Sequence, residues 1–284
     1  MRSDSDQALR KQVADHIQAD KLALPLLSTS AMRILELSQG GDSEIAELAE
    51  AVRTDPALTA HVLSVANSAT YCPAEPILSV GQAISRLGMS KLKSIAVAVV
   101  CRQELFQGEG HRAELEALWQ HCSLTAAWAG EIARQGRRNV ETAFLAGLLH
   151  DVGQPIVLGA LDAFDGLGAV GPGQELRGTL LDEYHGPVGE RLMDSWGFPS
   201  DVVAAVAWHH DPARACESEE LAHTVHLADL CAHWTLESIP AQRLVREERL
   251  SRDASVAVLG LYVDELDELL CCEPTVQVCA EAFA

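Results

Sequence analysis

The chain has 284 residues, 48% hydrophobic and 22% charged, a globular balance that excludes wholesale disorder and suffices for one large or two modest domains. Acidic residues outnumber basic ones 41 to 21, for a formal charge of −20. Such a surface repels phosphate backbones and anionic headgroups, so neither nucleic acid nor a membrane surface is an expected partner.

The opening MRSDSDQALRKQ is polar and has no apolar signal core. Helical periodicity dominates from there on, without a convincing run of alternating polar and apolar residues. Behind Pro25, the apolar positions Leu27, Ala31, Ile34, Leu35 and Leu37 mark an amphipathic helix. It stops at Gly40–Gly41, where glycine suits a left-handed cap. Ile45, Leu48, Ala49 and Val52 mark a short second helix. Asp55–Pro56 reads as an N-cap followed by proline at the first helical position. That helix carries Leu58, Val62, Leu63 and Val65 and runs into a loop at Tyr71–Pro76. Ile84 and Leu87 lie in a helix ending at Gly88; the next starts at Ser90 and carries Leu92, Ile95, Ala96 and Val99. Glycine and charge at Gln107–Gly110 divide an N-terminal helical lobe, residues 1–107, from a second lobe, residues 111–284.

In the second lobe His121 shares a helix face with Leu118, Thr125, Trp128 and Ile132, so it points inward. The segment AFLAGLLHDV, residues 143–152, is apolar nearly all round and delivers His150 and Asp151 into the interior. Pro155 biases Gln154 away from helical geometry, which puts the pair near a helix end. The Gly-rich stretch Asp165–Gly178 reads as a surface loop. His185 precedes Gly186–Pro187, the expected start of a helix ending at Trp196–Gly197. Ser200 is the expected cap of the next helix, which runs to His209–His210. Asp229 lies in HTVHLADLCAH on one face with Val225, His226 and Ala232. The fold class expected is all-α, in two lobes.

Apolar runs fall short of the ~20 residues of a membrane helix. The eight cysteines show no two-residue spacing, so free thiols in a reducing cytoplasm are expected. Two basic stretches, Arg86, Lys91, Lys93 and Arg102, then Arg134, Arg137 and Arg138, are read as solvated faces.

A buried aspartate must be paired, hydrogen-bonded or metal-bound. Imidazole and carboxylate are the ligand chemistry of Zn, Mn or Fe. His121, His150, Asp151, His185, His209, His210 and Asp229 therefore form a candidate metal set. The plainer alternative is core histidines satisfied by backbone carbonyls.

The order of these residues resembles the HD superfamily pattern. His121 matches its first histidine, His150–Asp151 its signature pair, His185 and His209–His210 the extra histidines of multinuclear subfamilies, and Asp229 the closing aspartate. The stretches LPLLSTSAMRILEL, DPALTAHVLSVANSATY and AISRLGMSKLKSIAVA look like the first half of an HDOD domain. HGPVGERLMDSWGFP followed by AVAWHH is similar to its second half, and the resemblance covers about residues 20–235. It implies a second lobe built as an HD-like bundle, and a regulatory output module of bacterial signal transduction. Its implied partners are signalling proteins of two-component or cyclic-dinucleotide pathways, or a small ligand, with a divalent Fe, Mn or Zn in the site. The alternative it implies is a metal-dependent phosphohydrolase of nucleotides or cyclic dinucleotides. A third reading is a relic cluster that binds no metal.

Two departures weigh against catalysis. Gln154 stands where active HD phosphodiesterases often carry lysine, and glutamine cannot neutralise phosphate. DPARACES after His210 lacks the Gly-Tyr-Pro signature of the cyclic di-GMP-cleaving subfamily.

Overall fold

A computed structural model describes residues 10, 11, 14, 15, 24, 25, 29–39, 45–68, 75–107, 109–166 and 174–283, and among them there is no strand. Leu27, Gly40, Gly41 and residues 71–74 of the expected loop lie outside them.

The first group comprises α1 (Thr29–Gln39), α2 (Ile45–Thr54), α3 (Pro56–Ala66), α4 (Val80–Leu87) and α5 (Met89–Leu105). Its punctuation is local chemistry. The Asp55 carboxylate accepts from the Leu58 N–H at 3.0 Å, with Pro56 in the first helical position, where the missing donor costs nothing. Gly88, at φ +79°, supplies the left-handed step that ends α4 and lets α5 leave in a new direction. Leu35, Leu48, Val52, Val62, Leu92 and Ile95 are fully buried at the centre of this group.

The second group comprises α6 (Arg112–Gln135), α7 (Val140–Leu149), α8 (Gly153–Gly166), α9 (Gln174–Ser195), α10 (Ser200–Trp208), α11 (Glu219–Leu236), α12 (Pro240–Ser251), α13 (Ala254–Val258), α14 (Val263–Leu270) and α15 (Glu273–Glu281). One apolar cluster runs without a break from Ile34 and Leu92 into Trp119, Phe144, Leu148 and Val206, so the two groups share a core across Gln107–Gly110. Phe283 is buried in it, and its carbonyl accepts from Trp119 Nε1 at 2.8 Å and Arg102 Nη1 at 3.1 Å. A second cluster packs Trp128 and Ile132 of α6 against Leu227 and Cys231 of α11 and against Leu250, Leu266 and Leu269.

Four expectations need correction. Asp165 and Gly166 close α8, and residues 174–178 open α9, so helix occupies both ends of the expected loop. His185 does not precede a helix: Pro187 lies inside the 22-residue α9. Proline there removes one ladder bond, and close packing on neighbouring helices keeps the helix running. Gln154 is helical, because Pro155 falls in the first turn of α8, where backbone N–H groups have no ladder partner to lose. Ser200 is the first residue of α10 and makes no side-chain cap; Pro199 holds the cap position.

One further reading changes. Val140–Asp162 is long and apolar enough, by composition, to cross a membrane, although no run was expected to reach that length. The chain turns at His150–Val152 between α7 and α8, and most of the stretch is buried against other helices. The basic stretches are tied down in part: Lys91 pairs with Glu141, Arg102 with Glu116, Arg134 with Glu131 and Arg138 with Glu220.

Candidate metal centre

All seven candidate ligands gather in one cluster of the second group, six of them buried and His210 exposed at its edge. His121 projects from mid-α6, and His150 and Asp151 from the turn that ends α7. His185 comes from mid-α9, His209 and His210 from the end of α10, and Asp229 from α11. Asparagine and glycine chemistry prepares the approach. Asn139 caps α7 by accepting from the N–H groups of Glu141 and Thr142, which aims the apolar helix inward and its His150 end at the centre.

Three glycines bring the remaining elements together. A Cβ at Gly153 would overlap the His185 carbonyl, one at Gly186 would lie 2.9 Å from the Ala207 oxygen, and one at Gly189 2.9 Å from Val206 Cγ1. Only hydrogen at these positions lets α8, α9 and α10 approach closely enough to set His185 beside His209.

The ligand atoms fall on two sides of Asp151. On one side, His185 Nε2 and His209 Nε2 are 3.3 Å apart and lie 3.4 and 3.8 Å from Asp151 Oδ1. Their Nδ1 atoms donate to the carbonyls of Leu181 at 2.7 Å and Val206 at 2.8 Å. A carbonyl only accepts, so each Nδ1 carries a proton and each Nε2 is the nitrogen left to offer a lone pair to an ion. Two ring nitrogens and a carboxylate oxygen thus face one another, each able to serve as a ligand atom. His210 joins His185 and His209 as a third nitrogen ligand within reach of the same point.

On the other side, His150 Nε2 lies 3.3 Å from Asp151 Oδ2 and 3.2 Å from His121 Nε2, which is 3.0 Å from Asp229 Oδ1. His150 Nδ1 is pinned at 2.8 Å to the Gly147 carbonyl. Asp151 therefore offers one oxygen to each group, the geometry of a bridging carboxylate.

The electrostatics follow from this crowding. Burial favours neutral His150, but the Asp151 and Asp229 carboxylates and the Gly147 carbonyl outweigh it and raise its pKa to about 9. Burial also pushes the two carboxyls up, yet the imidazoles around them win: His150, His185 and His209 hold Asp151 well below the usual range, and His121, His150 and His233 hold Asp229 below it. His209 is pushed far down by burial and by His150 and His210; burial also lowers His210. In the absence of an ion, one proton on His150 is what reconciles the carboxylates, and a divalent cation would displace it. Fixed tautomers, deprotonated carboxylates and lone pairs aimed at shared points fit a divalent metal.

Two residues at the site were given no role from the sequence. His233, one turn after Asp229, places Nε2 3.4 Å from Asp229 Oδ1. The four-residue spacing, which puts both side chains on one helix face, was the available signal. His226 donates from Nδ1 to the His209 carbonyl at 2.7 Å while its Nε2 faces Asp253 Oδ2 at 3.3 Å, bracing the His209–His210 turn.

The profile of the HDOD domain matches residues 24–212. A structure from Shewanella amazonensis SB2B, described as that of a candidate phosphohydrolase, superposes with a TM-score of 0.71 at 23% identity, covering 96% of this chain and 98% of that one. An HDOD domain protein of unknown function from Geobacter sulfurreducens gives 0.71 at 23% identity, over 98% and 99% of the chains. An uncharacterized protein of Treponema pallidum (strain Nichols) is 22% identical over 248 residues, 84% of this chain; the chain spans 47% of that relative's length. At these identities the structural likeness bears on the fold alone.

Proposed function

The chain belongs to the HDOD domain family, and from that premise we propose that it is a signal-transduction output module built around a divalent-metal centre. One observation carries the metal: His185 Nε2, His209 Nε2 and Asp151 Oδ1 converge within 3.8 Å of one another, with both rings held through Nδ1 so that Nε2 faces the shared point. His185, His209, His210 and Asp151 would hold one ion, and His121, His150, Asp151 and Asp229 a second. Nitrogen and oxygen ligands of this type suit Fe, Mn or Zn. The partners of such a module would be signalling proteins, and its setting the cytoplasm; the acidic surface supports both by disfavouring nucleic acid and anionic lipid.

A second reading, phosphohydrolysis, is favoured by the two-sided bridging arrangement of Asp151. A bound divalent ion supplies Lewis acidity toward phosphoryl oxygens. Against turnover stands Gln154, which leaves that position of the α8 turn without a cation for phosphate.

The test has two steps. Elemental analysis of protein purified without affinity-metal contact should find close to two ions per chain, and an ion-free protein would sink the metal centre. The loaded protein should then hydrolyse bis(p-nitrophenyl) phosphate and cyclic dinucleotides no faster than background. Metal-dependent turnover that His150→Ala with Asp151→Ala abolishes would establish the phosphohydrolase instead.

A further inference from the structure

His121 differs from the other inner histidines. His150, His185 and His209 each have Nδ1 fixed to a backbone carbonyl, whereas the buried Nδ1 of His121 has no hydrogen-bond partner in the protein. That nitrogen therefore does not hold the ring, whose polar contacts are at Nε2, 3.0 Å from Asp229 Oδ1 and 3.2 Å from His150 Nε2. Its Nε2 also belongs to two triplets of ligand atoms, each within 4.8 Å of one another: His121, His150 and Asp151 inside, and His121, Asp229 and His233 outside.

The outer triplet opens to solvent. The His150 side chain is 1% exposed and that of Asp229 7%, but that of His233 is 50% exposed. The His121 and His233 rings lie tilted against each other with centroids 4.6 Å apart, and their Nε2 atoms lie 3.0 and 3.4 Å from Asp229 Oδ1. Two ligands four residues apart on one helix face, here Asp229 and His233 on α11, make a preorganised pair, and a third from α6 completes the minimum set for a divalent ion.

The geometry points to a second, solvent-facing ligand set for a divalent ion, formed by His121, Asp229 and His233. It alternates with the inner set because His121 Nε2 can bind one ion at a time. An ion held there shares His121 with the inner position, which makes the outer set the route by which ions exchange with a buried centre. This rests on the metal-centre reading above and adds to it a position outside the expected ligand pattern.

The experiment titrates zinc(II) into the metal-free full chain against a competing chelator, for wild type, His233→Ala, His150→Ala and the double variant. With the inner set broken by His150→Ala, one zinc remains on His185, His209, His210 and Asp151 and a second on the outer set, and adding His233→Ala should cost about tenfold in affinity for that second ion. In the wild-type background, His233→Ala should leave the zinc count at saturation unchanged and slow zinc transfer to the chelator several-fold. Unchanged affinity in the His150→Ala background together with unchanged transfer overturns the outer set. Faster release with weaker binding also overturns it, since His233 would then be an ordinary ligand of the resting ion. His233 is exposed, so its variant should fold; if His150→Ala loses helicity by circular dichroism, the transfer rate decides alone. Wild type that takes up no zinc removes the metal centre itself, whereas zinc uptake insensitive to His233 removes only the outer set.

Discussion

The two halves of the molecule bury different chemistry. Between α1 and α5, Ser94 is the one buried polar side chain among the described residues, and it donates to Glu141 of α7 at 3.0 Å. From α6 onward the interior holds His121, His150, Asp151, His185, His209, His223 and Asp229. An apolar interior is stabilised by burial alone, whereas ionisable groups taken out of water must be compensated by one another or by an ion. The first half is therefore a core and little else, and the second spends stability on a site.

The largest expected effect tests the first half. Leu92 is fully buried in α5, and Leu92→Ala should cost about 2–5 kcal/mol through lost burial and a residual cavity. Urea denaturation should record that loss while elemental analysis finds the metal content unchanged. Loss of the ions along with stability would break the division between halves, and the apolar cluster that runs from Leu92 to Phe144 and Leu148 is where such coupling would travel.

Chelation tests the second half. If free ion stood about a hundredfold above its Kd, stripping it should cost about 2.7 kcal/mol. Hydrogen exchange should speed up in α6, α7, α9 and α11 and stay slow in α2, α3 and α5. Uniform loosening would say that the halves unfold as one unit.

The pH dependence of the stripped protein sharpens the contrast further. His150 has a folded pKa of about 9, raised from 6.5, so its contribution is fully present below pH 6.5 and is lost as pH rises through 9. His209, His210 and His233 are lowered from 6.5, so stability drops as pH falls below 6.5 and the unfolded chain takes up those protons. Asp151 and Asp229, lowered from 3.8, add a further loss below that value. The stripped protein should be most stable near pH 6.5, with a urea midpoint that declines on both sides; loading with metal should flatten the alkaline side. A flat profile without metal would contradict the crowding described here.

The smallest effect is local. Asp55→Ala removes the cap of α3 and should cost about 1 kcal/mol by thermal denaturation, with metal content and the pH profile untouched.

Much of this was legible in the residues. Helix starts and stops in the first half came from Asp55–Pro56 and Gly88, whose effects are decided by neighbours in the chain. The inward face of His121 and the buried run ending at His150–Asp151 followed from 3.6-residue periodicity. Local signals misled where packing overrides them. Gly186–Pro187 reads as a helix start, yet the helix runs through it because Gly153 and Gly189 seat α8 and α9 against each other. His233 lay in view at four residues from Asp229, but its value as a ligand depends on a ring from another helix.

The sequence by itself determined the helical class, the apolar faces and the residue types of the site, because these rest on spacing along one chain and on side-chain chemistry. The tertiary structure alone decided that Asp151 divides its oxygens between two histidine groups and that three imidazoles have Nδ1 pinned to a carbonyl while that of His121 has no partner. The reason is physical: a lone pair's direction is set by the carbonyl behind the ring and by the helix across from it. Those partners meet only when glycines at 153, 186 and 189 let distant segments close to backbone contact.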